Sequence, residues 1–411
     1  MILHYADYMK YLLLRLKRFC GFIAGFVFFI AGIFKLSDPV GAGLIVKEYM
    51  DFLHIGFLAP LAKATAFLIS FAETIIGAAL VTGIWRRVTA VAALSFQMFF
   101  TLLTLLLLIF NPEMDCGCFG EVIHLSHIET FIKNIVLLLL LISFTFPSRY
   151  LGGPKRHKYV SFGIVSVSVL AFAIYAWISI PLVDYTVFKP AVALQAGSAF
   201  GPSEEDIYEA VFVYEKDGAV NEFTLEELPD STWHFVETRT VVKEGMETVA
   251  AALSFYDDSG AYHDTLAVNG KVMVVSIYDI DVRPAVWKRT VQFLTDASRT
   301  GFSPLLLVSA SVEQMKEVYD MFPEYEEVIR RYLYHSDYKT LITMNRSNSG
   351  VTYFSDGYLV RKWSARSCPD EEELEEVIIG DDTETIIGSD AVGSLAFQGF
   401  LLYVFAVMLL L

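Results

Sequence analysis

Several common catalytic motifs are missing from the sequence. It has no phosphate-binding glycine loop, no recognisable Ser-His-Asp set and no His-Glu-x-x-His helix, which leaves kinase and hydrolase chemistry without support. Cysteine is also scarce. Only Cys20, Cys116, Cys118 and Cys368 occur, and no two of them form a Cys-x-x-Cys pair. Disulfide exchange through a Cys-x-x-Cys motif is therefore excluded.

Positive charge is scarce in the second half of the chain. Residues 183–411 hold 17 Lys and Arg against 38 Asp and Glu, whereas residues 1–182 hold 14 against 9, which together give the net charge of −16. An acidic region of this strength repels nucleic acid and anionic headgroups, so we expect no nucleic-acid partner. The split indicates two different environments for the two halves.

Hydrophobic residues make up 55% of the 411 residues, and the mean hydropathy is +0.48. This is too apolar for a soluble chain of this length, so we expect lipid as a partner of much of the surface. A span needs about 20 uncharged helical residues. Six stretches meet this requirement with few or no internal charges: 19–34, 58–84, 88–112, 128–148, 159–183 and 391–411.

Basic residues predict how these spans are oriented. They cluster at 10–18 before the first span, at 86–87 between the second and third, and at 149–158 between the fourth and fifth. Lys and Arg near helix ends stay preferentially in the cytoplasm, so both termini are predicted to be cytoplasmic in a bacterial inner membrane. A cleaved signal peptide over 1–34 is the alternative, but no Ala-x-Ala-like site follows the first apolar run. The loop at 115–127 and residues 183–390 are then periplasmic.

The fold class predicted from these patterns is a membrane α-helical bundle with an extracytoplasmic α/β domain. The predicted segments are a cytoplasmic N-terminal segment (1–17), a four-helix domain (18–148), a basic loop with the fifth span (149–182), a strand-rich extension (183–270), an α/β domain (271–390) and a last span (391–411). In the extension, two alternating runs flank residues 216–218 and predict a hairpin.

Residues 271–380 predict the order strand, helix, strand, helix, hairpin, helix, with buried-type strands at 271–278 and 304–309. The first helix is expected over 286–299, the second over 312–334, and the last after Pro369. This order resembles a thioredoxin-like fold. Two departures stand out: residues 281–286 (DVRPAV) replace the Cys-x-x-Cys motif, and residues 348–350 (NSG) replace the usual cis-proline. The resemblance thus implies a degenerate domain used for binding.

Three elements of the membrane half occur in a fixed order: GIFKLSDP at 32–39, Glu73 followed by Gly77 and Gly83, and DCGCFG at 115–120. Together they resemble the DoxX/MauE family of four-helix membrane proteins, over about residues 18–146. The MauE branch takes part in methylamine utilisation and is linked to disulfide formation in a secreted enzyme subunit. The resemblance thus implies an extracytoplasmic, disulfide-containing protein client.

Cys116 and Cys118 are the predicted reactive pair. On the predicted orientation they face the oxidising side of the membrane, and Gly117 gives the backbone freedom to bring them together. A disulfide within Cys-x-Cys is strained and readily reduced, which suits exchange, although Glu113, Asp115 and Glu121 disfavour the thiolate. A structural disulfide and an inert reduced pair stay open as alternatives. A zinc site completed by His124 and His127 matches no standard spacing, so we expect no metal.

Glu73 is the one acid fully inside an apolar span, and Gln97 on the next span reaches a similar depth. An acid at such a position faces the bundle interior. Glu73 is either a catalytic group that handles protons or faces a quinone, or it forms a hydrogen bond between helices to Gln97, Thr101 or a lysine. Lys35 and Lys133 are expected to extend to the membrane surface.

Two cysteines remain. Cys20 is interpreted as a small packing residue. Cys368 directly precedes the last predicted helix of the α/β domain, and our hypothesis is that it forms a mixed disulfide with Cys116 or Cys118 as a redox relay.

The leading hypothesis is a membrane thiol/disulfide redox or disulfide-maturation factor, with Cys116, Cys118 and Glu73 as catalytic candidates and a quinone as the candidate cofactor. Its partner is an extracytoplasmic protein. The alternative is a non-enzymatic envelope scaffold whose thioredoxin-like domain binds a partner. A small-solute transporter is third, because the sequence has no detectable inverted repeat.

Overall fold

The structure is a computed structural model of the 411-residue chain. It describes residues 2–112, 114, 116–123, 125–146, 154–195, 208–216, 219–223, 234–242 and 251–410. The chain divides into two compact units, which are described separately. The first unit is Met1–Tyr185 with Asp390–Leu411, and the second is Thr186–Ser389.

The first unit is helical. Its first six helices are α1 (Ile2–Ser37), α2 (Pro39–Phe52), α3 (Ala62–Thr82), α4 (Arg86–Phe110), α5 (His127–Thr145) and α6 (Arg156–Ile178). A short 3-10 turn, Gly56–Leu61, precedes α3, and a short strand, β1 (Cys118–Glu121), follows α4. α3 ends at Gly83, whose φ of 71° closes the helix in the left-handed conformation, and α4 begins three residues later.

Small residues allow α1 and α3 to approach closely. A Cβ added at Gly25 would lie 2.6 Å from the Leu80 Cβ, and one added at Gly77 would lie 2.4 Å from the Phe29 backbone nitrogen. Any side chain larger than hydrogen would therefore separate the two helices. Close backbone contact through small residues is the usual way in which membrane helices associate, because lipid gives no hydrophobic driving force between them.

Within the described residues, six helices are long and apolar enough to cross a membrane, which agrees with the number predicted from sequence. They are Leu12–Ser37, Gly56–Thr82, Arg86–Phe110, His127–Thr145, Arg156–Ile178 and Asp382–Leu410. Two ends differ from the prediction. α1 begins at Ile2, so most of the predicted N-terminal segment is part of this helix, and the last helix begins about nine residues early. Its first turn carries Asp382 and Glu384, and acids there interact favourably with the helix dipole.

The second unit contains a five-stranded mixed sheet. Its strands are β7 (Lys271–Ile277), β8 (Ser303–Val308), β9 (Leu333–His335), β10 (Gly350–Ser355) and β11 (Tyr358–Trp363), in the order β11-β10-β7-β8-β9. β7, β8 and β9 are parallel, whereas β10 pairs antiparallel with β7 and β11. Five helices lie in this region: α7 (Pro284–Thr300), α8 (Val312–Met321), α9 (Glu326–Tyr332), α10 (Tyr338–Met344) and α11 (Glu371–Ile379). The last helix of the chain is α12 (Asp382–Leu410).

Both faces of the sheet are buried. Met273, Val275 and Ile277 pack into one core with Trp287 of α7, whereas Val272 and Val274 pack into a second core on the other face. This explains why the sequence of β7 is a continuous apolar run rather than an alternating one.

Two smaller sheets precede the large one. β3 (Tyr208–Lys216) lies between β4 (Ala219–Phe223) and β5 (His234–Val242), antiparallel to both, and β2 (Leu194–Gln195) pairs with β6 (Ala251–Ala252). The predicted hairpin is confirmed by the pairing of Lys216 with Ala219. Its two turn residues, 217 and 218, lie outside the described residues.

The predicted helix over 312–334 is wrong in its second part. It stops at Met321, is interrupted by a 3-10 turn at Pro323–Tyr325, resumes as α9 and ends in strand β9. Pro323 cannot continue a helix because it lacks the N–H and its ring clashes with the preceding turn. The other elements predicted over 271–380 are present within a few residues. Assignment to a thioredoxin-like fold stays a prediction.

Candidate functional site

Lys35 and Glu73 form an ion pair inside the helical unit. The Lys35 ammonium lies 2.5 Å from the Glu73 carboxylate, and the two side chains are only 13% and 11% exposed. Lys35 comes from the last turn of α1 and Glu73 from the middle of α3. Among the partners predicted for Glu73, the lysine is therefore the one observed. The prediction that Lys35 extends to the membrane surface is wrong, because its ammonium is held by the buried acid.

A chain of amide and hydroxyl groups joins α4 and α5 beside this pair. The Gln97 side-chain amide donates to the Asn134 carbonyl at 3.2 Å, and the Asn134 amide donates to the Thr104 hydroxyl at 3.1 Å. All three residues are buried. Interhelical hydrogen bonds of this kind fix the register of two membrane helices and keep buried polar groups satisfied.

The cysteine loop, residues 116–121, follows α4 and contacts α2. Cys116 is 5% exposed, and its carbonyl accepts a hydrogen bond of 3.0 Å from the Tyr49 hydroxyl. Burial raises the pKa of the Tyr49 phenol, and the two cysteines and Glu48 beside it add to this effect. Tyr49 therefore stays protonated and remains a hydrogen-bond donor to the loop.

Gly117 is the residue that lets the loop turn. Its φ is 60°, a left-handed conformation that glycine adopts without strain. A Cβ at this position would also lie 2.5 Å from Cγ2 of Ile45 on α2. Glycine is thus required twice, once for the backbone angle and once for the close approach of α2.

Cys118 lies on the more accessible side of the loop. It is partly exposed, and it begins strand β1. The following residue, Phe119, packs its ring 4.9 Å from the Lys133 ammonium of α5. Lys133, which was predicted to extend to the membrane surface, therefore lies against the cysteine loop. Gly120 packs against the backbone of Phe34 and Lys35 at the end of α1.

A cavity of about 200 Å³ lies inside the helical unit. Its walls are mostly apolar and include several aromatic rings from α1 and α4, namely Phe28, Phe96, Phe99 and Phe100. Its polar lining includes Lys35, Glu73, Gln97, Lys133 and Asn134. Cys116, Gly117 and Cys118 line it as well. The cavity therefore joins the predicted reactive cysteines to the buried ion pair.

Helix α2 contributes much of the cavity wall, and sequence analysis missed it. Ile45, Val46, Tyr49 and Met50 all line the cavity. The signal was present in Asp38-Pro39: the Asp38 carboxylate accepts a hydrogen bond from the Gly41 backbone N–H, and Pro39 occupies the first helical position. At 14 residues α2 is too short to span a membrane, so it contains no apolar run of spanning length.

One of the two histidines of the zinc alternative already has hydrogen-bond partners. His127 is engaged at both ring nitrogens, one 3.2 Å from the Asn111 side-chain oxygen and the other 3.0 Å from the Met114 carbonyl. His124, Glu113 and Asp115 lie outside the described residues. Among the residues that the structure describes, no group of three His, Cys, Asp or Glu side chains could hold a metal ion.

Cys20 and Cys368 are not among the residues that line the cavity. Cys20 is a partly buried residue of α1, and none of the four cysteines is in a disulfide. Cys368 packs against one core of the second unit, and burial raises the pKa of its thiol to about 12. The arginine Arg289 opposes this shift only in part. Few Cys368 thiolates exist at neutral pH, which weighs against a relay role for this residue.

The start of α7 carries no thiol. Arg283 is its N-cap and Pro284 its first residue. Further along this helix, the Thr290 hydroxyl lies 2.9 Å from the Ser349 hydroxyl of the loop before β10, and both residues are buried. This part of the second unit is therefore held by hydroxyl hydrogen bonds rather than by sulfur chemistry.

Comparisons with known proteins match two parts of the chain. Residues 9–147, about a third of the chain, match the family described as Methylamine utilisation protein MauE, and residues 208–245 match a domain of unknown function, DUF8463. No curated protein and no solved structure matches the chain. The chain is thus a multi-pass membrane protein whose residues 9–147, which contain the cavity and the cysteine loop, are MauE-like.

Proposed function

We propose that the chain is a membrane thiol/disulfide redox factor that acts on an extracytoplasmic protein through Cys116 and Cys118. The observation that carries this proposal is that both cysteines line a cavity whose wall also holds the buried Lys35–Glu73 pair. A thiol pair needs groups that accept and donate protons when it is oxidised or reduced. The ion pair supplies one of each.

The two cysteines have different accessibility, which supports different roles. Cys116 is 5% exposed, and Cys118 is more exposed. The Cys118 sulfur is the one that a partner reaches, and it forms the mixed disulfide with the client. The Cys116 sulfur then closes or releases the intramolecular disulfide on the cavity side. Cys118 thus contacts the client, and Cys116 faces the interior of the membrane.

The orientation proposed from the basic clusters puts the cysteine loop and the second unit outside the cytoplasm of a bacterial cell. In this arrangement both termini are cytoplasmic. The loop packs against the end of α1 at Phe34 and Lys35, and the basic residues Arg15, Lys17 and Arg18 lie about 20 residues earlier on the same helix. At 1.5 Å per residue these two ends are about 25–30 Å apart, which is close to the thickness of a hydrocarbon core.

The proposed role of the second unit is to select the partner. Its element order is that proposed for a degenerate thioredoxin-like domain, but α7 follows the N-cap Arg283 and begins with Pro284, and Cys368 is partly buried. Such a domain binds an extended protein segment rather than exchanging disulfides. These observations also favour the second candidate, a non-enzymatic scaffold. In that candidate function the Cys116 and Cys118 thiols take no part in any reaction.

The name of the matching family supports a narrower proposal. The family description names methylamine utilisation, and the client that we propose is a disulfide-containing subunit of a secreted enzyme of that process. The client carries cysteines that pass through mixed disulfides with Cys118 before they pair with each other.

Trapping of the client tests this proposal. In a Cys20→Ser/Cys368→Ser background, Cys116→Ser removes the resolving thiol. The Cys118 thiolate is then expected to attack client disulfides, releasing one client thiol, and to accumulate mixed disulfides that are separated on non-reducing gels and identified by mass spectrometry. Cys118→Ser is the matched control and is expected to trap at least about tenfold less. Equal and negligible trapping in both variants would favour the scaffold.

A further inference from the structure

We propose that the cavity beneath the cysteine loop binds the ring of a lipid-soluble quinone, which takes the electrons of the Cys116/Cys118 pair. This inference rests on the proposed thiol chemistry and names its electron acceptor by chemical class. The cavity is formed by helices α1, α3, α4 and α5, all long enough to cross the membrane, together with α2. A ligand of such a cavity reaches it from the bilayer, and an electron acceptor found there is apolar.

The shape and chemistry of the walls fit a planar ring. The Phe96 and Phe100 rings lie 4.8 Å apart, the Phe99 and Phe100 rings 5.2 Å apart, and all three line the cavity. Aromatic side chains of this kind stack against a flat conjugated ring. A saturated acyl chain gains no such stacking, and it offers no partner to the polar groups at the wall.

Two of the polar groups have hydrogen-bond donors to offer a quinone carbonyl. The Lys35 ammonium has three donors and gives one to Glu73, and the Gln97 amide has two and gives one to the Asn134 carbonyl. A quinone carries two carbonyl oxygens on opposite sides of its ring and no donor of its own. Lys35 and Gln97 are therefore assigned to the two carbonyl oxygens.

The redox step balances without a further reactant. The S–H bonds of Cys116 and Cys118 break, one S–S bond forms between them, and two electrons reduce the quinone to a hydroquinone. The two thiol protons finish on the two quinone oxygens. Glu73 accepts one thiol proton and Lys35 donates one to the ring oxygen that it contacts, after which proton transfer from Glu73 to Lys35 restores the ion pair. The second thiol proton passes through water to the ring oxygen beside Gln97.

Quinone binding can be measured separately from thiol chemistry. The full-length chain in phosphatidylcholine nanodiscs is titrated with ubiquinone-1 by calorimetry in a Cys116→Ser/Cys118→Ser background, where no electrons are transferred. We expect saturable binding above that of empty nanodiscs. Gln97→Leu and the double variant Lys35→Met/Glu73→Met are each expected to raise the Kd at least about tenfold, because each removes a hydrogen bond in an apolar site.

Lys63→Met is the matched control. Lys63 lies at the start of α3 and stacks 4.5 Å from the Trp177 ring, and it is not among the residues that line the cavity. Its replacement is expected to leave the Kd unchanged. The double variant removes both charges together, which avoids a buried unpaired carboxylate, and Gln97→Leu keeps the test independent of that pair. Binding that no cavity variant changes would show partition into lipid and would overturn the proposal.

A second measurement separates failure of this inference from failure of the proposed function. With dithiothreitol as reductant, wild-type nanodiscs are expected to convert ubiquinone-1 to its hydroquinone, whereas Cys116→Ser and Cys118→Ser lose this turnover. If the cysteines cycle between thiol and disulfide but no quinone binds, the acceptor assignment is wrong and the thiol function stands. If quinone binds with the expected variant pattern but the cysteines never change state, the cavity assignment stands and the thiol function is wrong.

Discussion

The Lys35 ammonium and the Glu73 carboxylate are paired on neighbouring helices, α1 and α3, at one wall of the cavity. Removing one partner of a buried pair leaves an uncompensated charge, whereas replacing both with apolar residues is often nearly neutral. We therefore expect Lys35→Met to lower the free energy of unfolding by about 3–5 kcal/mol, and Lys35→Met/Glu73→Met to lower it by only about 1 kcal/mol. Unfolding of the purified protein by SDS titration measures both. If the double variant is as unstable as the single one, the two charges are not coupled.

Gly117 and Gly120 form a matched pair for testing the cysteine loop. Their φ angles are 60° and 63°, but only a Cβ at Gly117 would meet a neighbour closer than 3 Å, namely Ile45. Both alanine variants incur roughly 1–2 kcal/mol for the left-handed angle. Gly117→Ala is expected to be less stable than Gly120→Ala by a further 1–3 kcal/mol or so, because of overpacking. Adding Ile45→Ala to the Gly117→Ala variant should restore that difference in stability. If no stability is restored, the loop does not pack on α2.

Tyr49 is expected to limit access to Cys116. Tyr49→Phe removes the hydrogen bond to the Cys116 carbonyl and should lower stability by about 1 kcal/mol. It should also increase the rate at which Cys116 reacts with a maleimide in a Cys20→Ser/Cys118→Ser/Cys368→Ser background. Tyr175→Phe, on the exposed face of α6, is the control and should change neither quantity. Unchanged labelling in Tyr49→Phe would show that burial alone protects Cys116.

Cys368 gives a prediction about pH. Burial raises the pKa of its thiol to about 12, whereas an ordinary thiol has a pKa of about 8.5. The Cys368 thiol therefore stays protonated in the folded unit, and only the thiolate reacts with a maleimide. The rate of Cys368 labelling should stay slow through pH 9 and rise only towards pH 12. Labelling of Cys118 serves as the accessible reference at each pH. A Cys368 labelling midpoint near 8.5 would restore this residue as a relay candidate, and the crosslink to the loop would then be sought by comparing wild type with Cys368→Ser.

Topology reporters test the proposed orientation. Alkaline phosphatase fused after Phe119 or at Asp257 is expected to be active, and a fluorescent protein fused at either site is expected to stay dark, because both sites are proposed to be outside the cytoplasm. A fusion at Trp85, between α3 and α4, should give the opposite pattern. Cytoplasmic activity after Phe119 would place the cysteines in a reducing compartment and remove the basis for a persistent disulfide.

The six spans could be predicted from sequence because the energetic cost of charge in hydrocarbon leaves long uncharged runs. The strands and helices around the five-stranded sheet were predicted for a similar reason, since β7 and β8 are buried on both faces and their inner residues are almost all apolar. α2 and β9 escaped prediction. Each is short, and each is stabilised by contacts that are distant in sequence, such as Tyr49 with Cys116 and His335 with the Ala310 carbonyl.

The site was predicted in part. The sequence identified Cys116, Cys118 and Glu73 as catalytic candidates and Gln97 as a possible partner of Glu73, and all four line one cavity, whereas the relay candidate Cys368 is not among its lining residues. The partner of Glu73 could not be chosen, because Lys35 lies near a helix end, where lysine usually extends to water. Only the packing of α1 against α3 shows that its stem is directed inwards instead.

The redox state of the Cys116/Cys118 pair in living cells tests the central claim most directly. In a Cys20→Ser/Cys368→Ser chain, acid quenching followed by a mass-tagged maleimide counts the thiols of this pair on a gel. We expect mostly disulfide in growing cells, two thiols after addition of dithiothreitol, and a slower return to disulfide when the quinone pool is depleted. A pair that keeps one state under all three conditions would contradict the account.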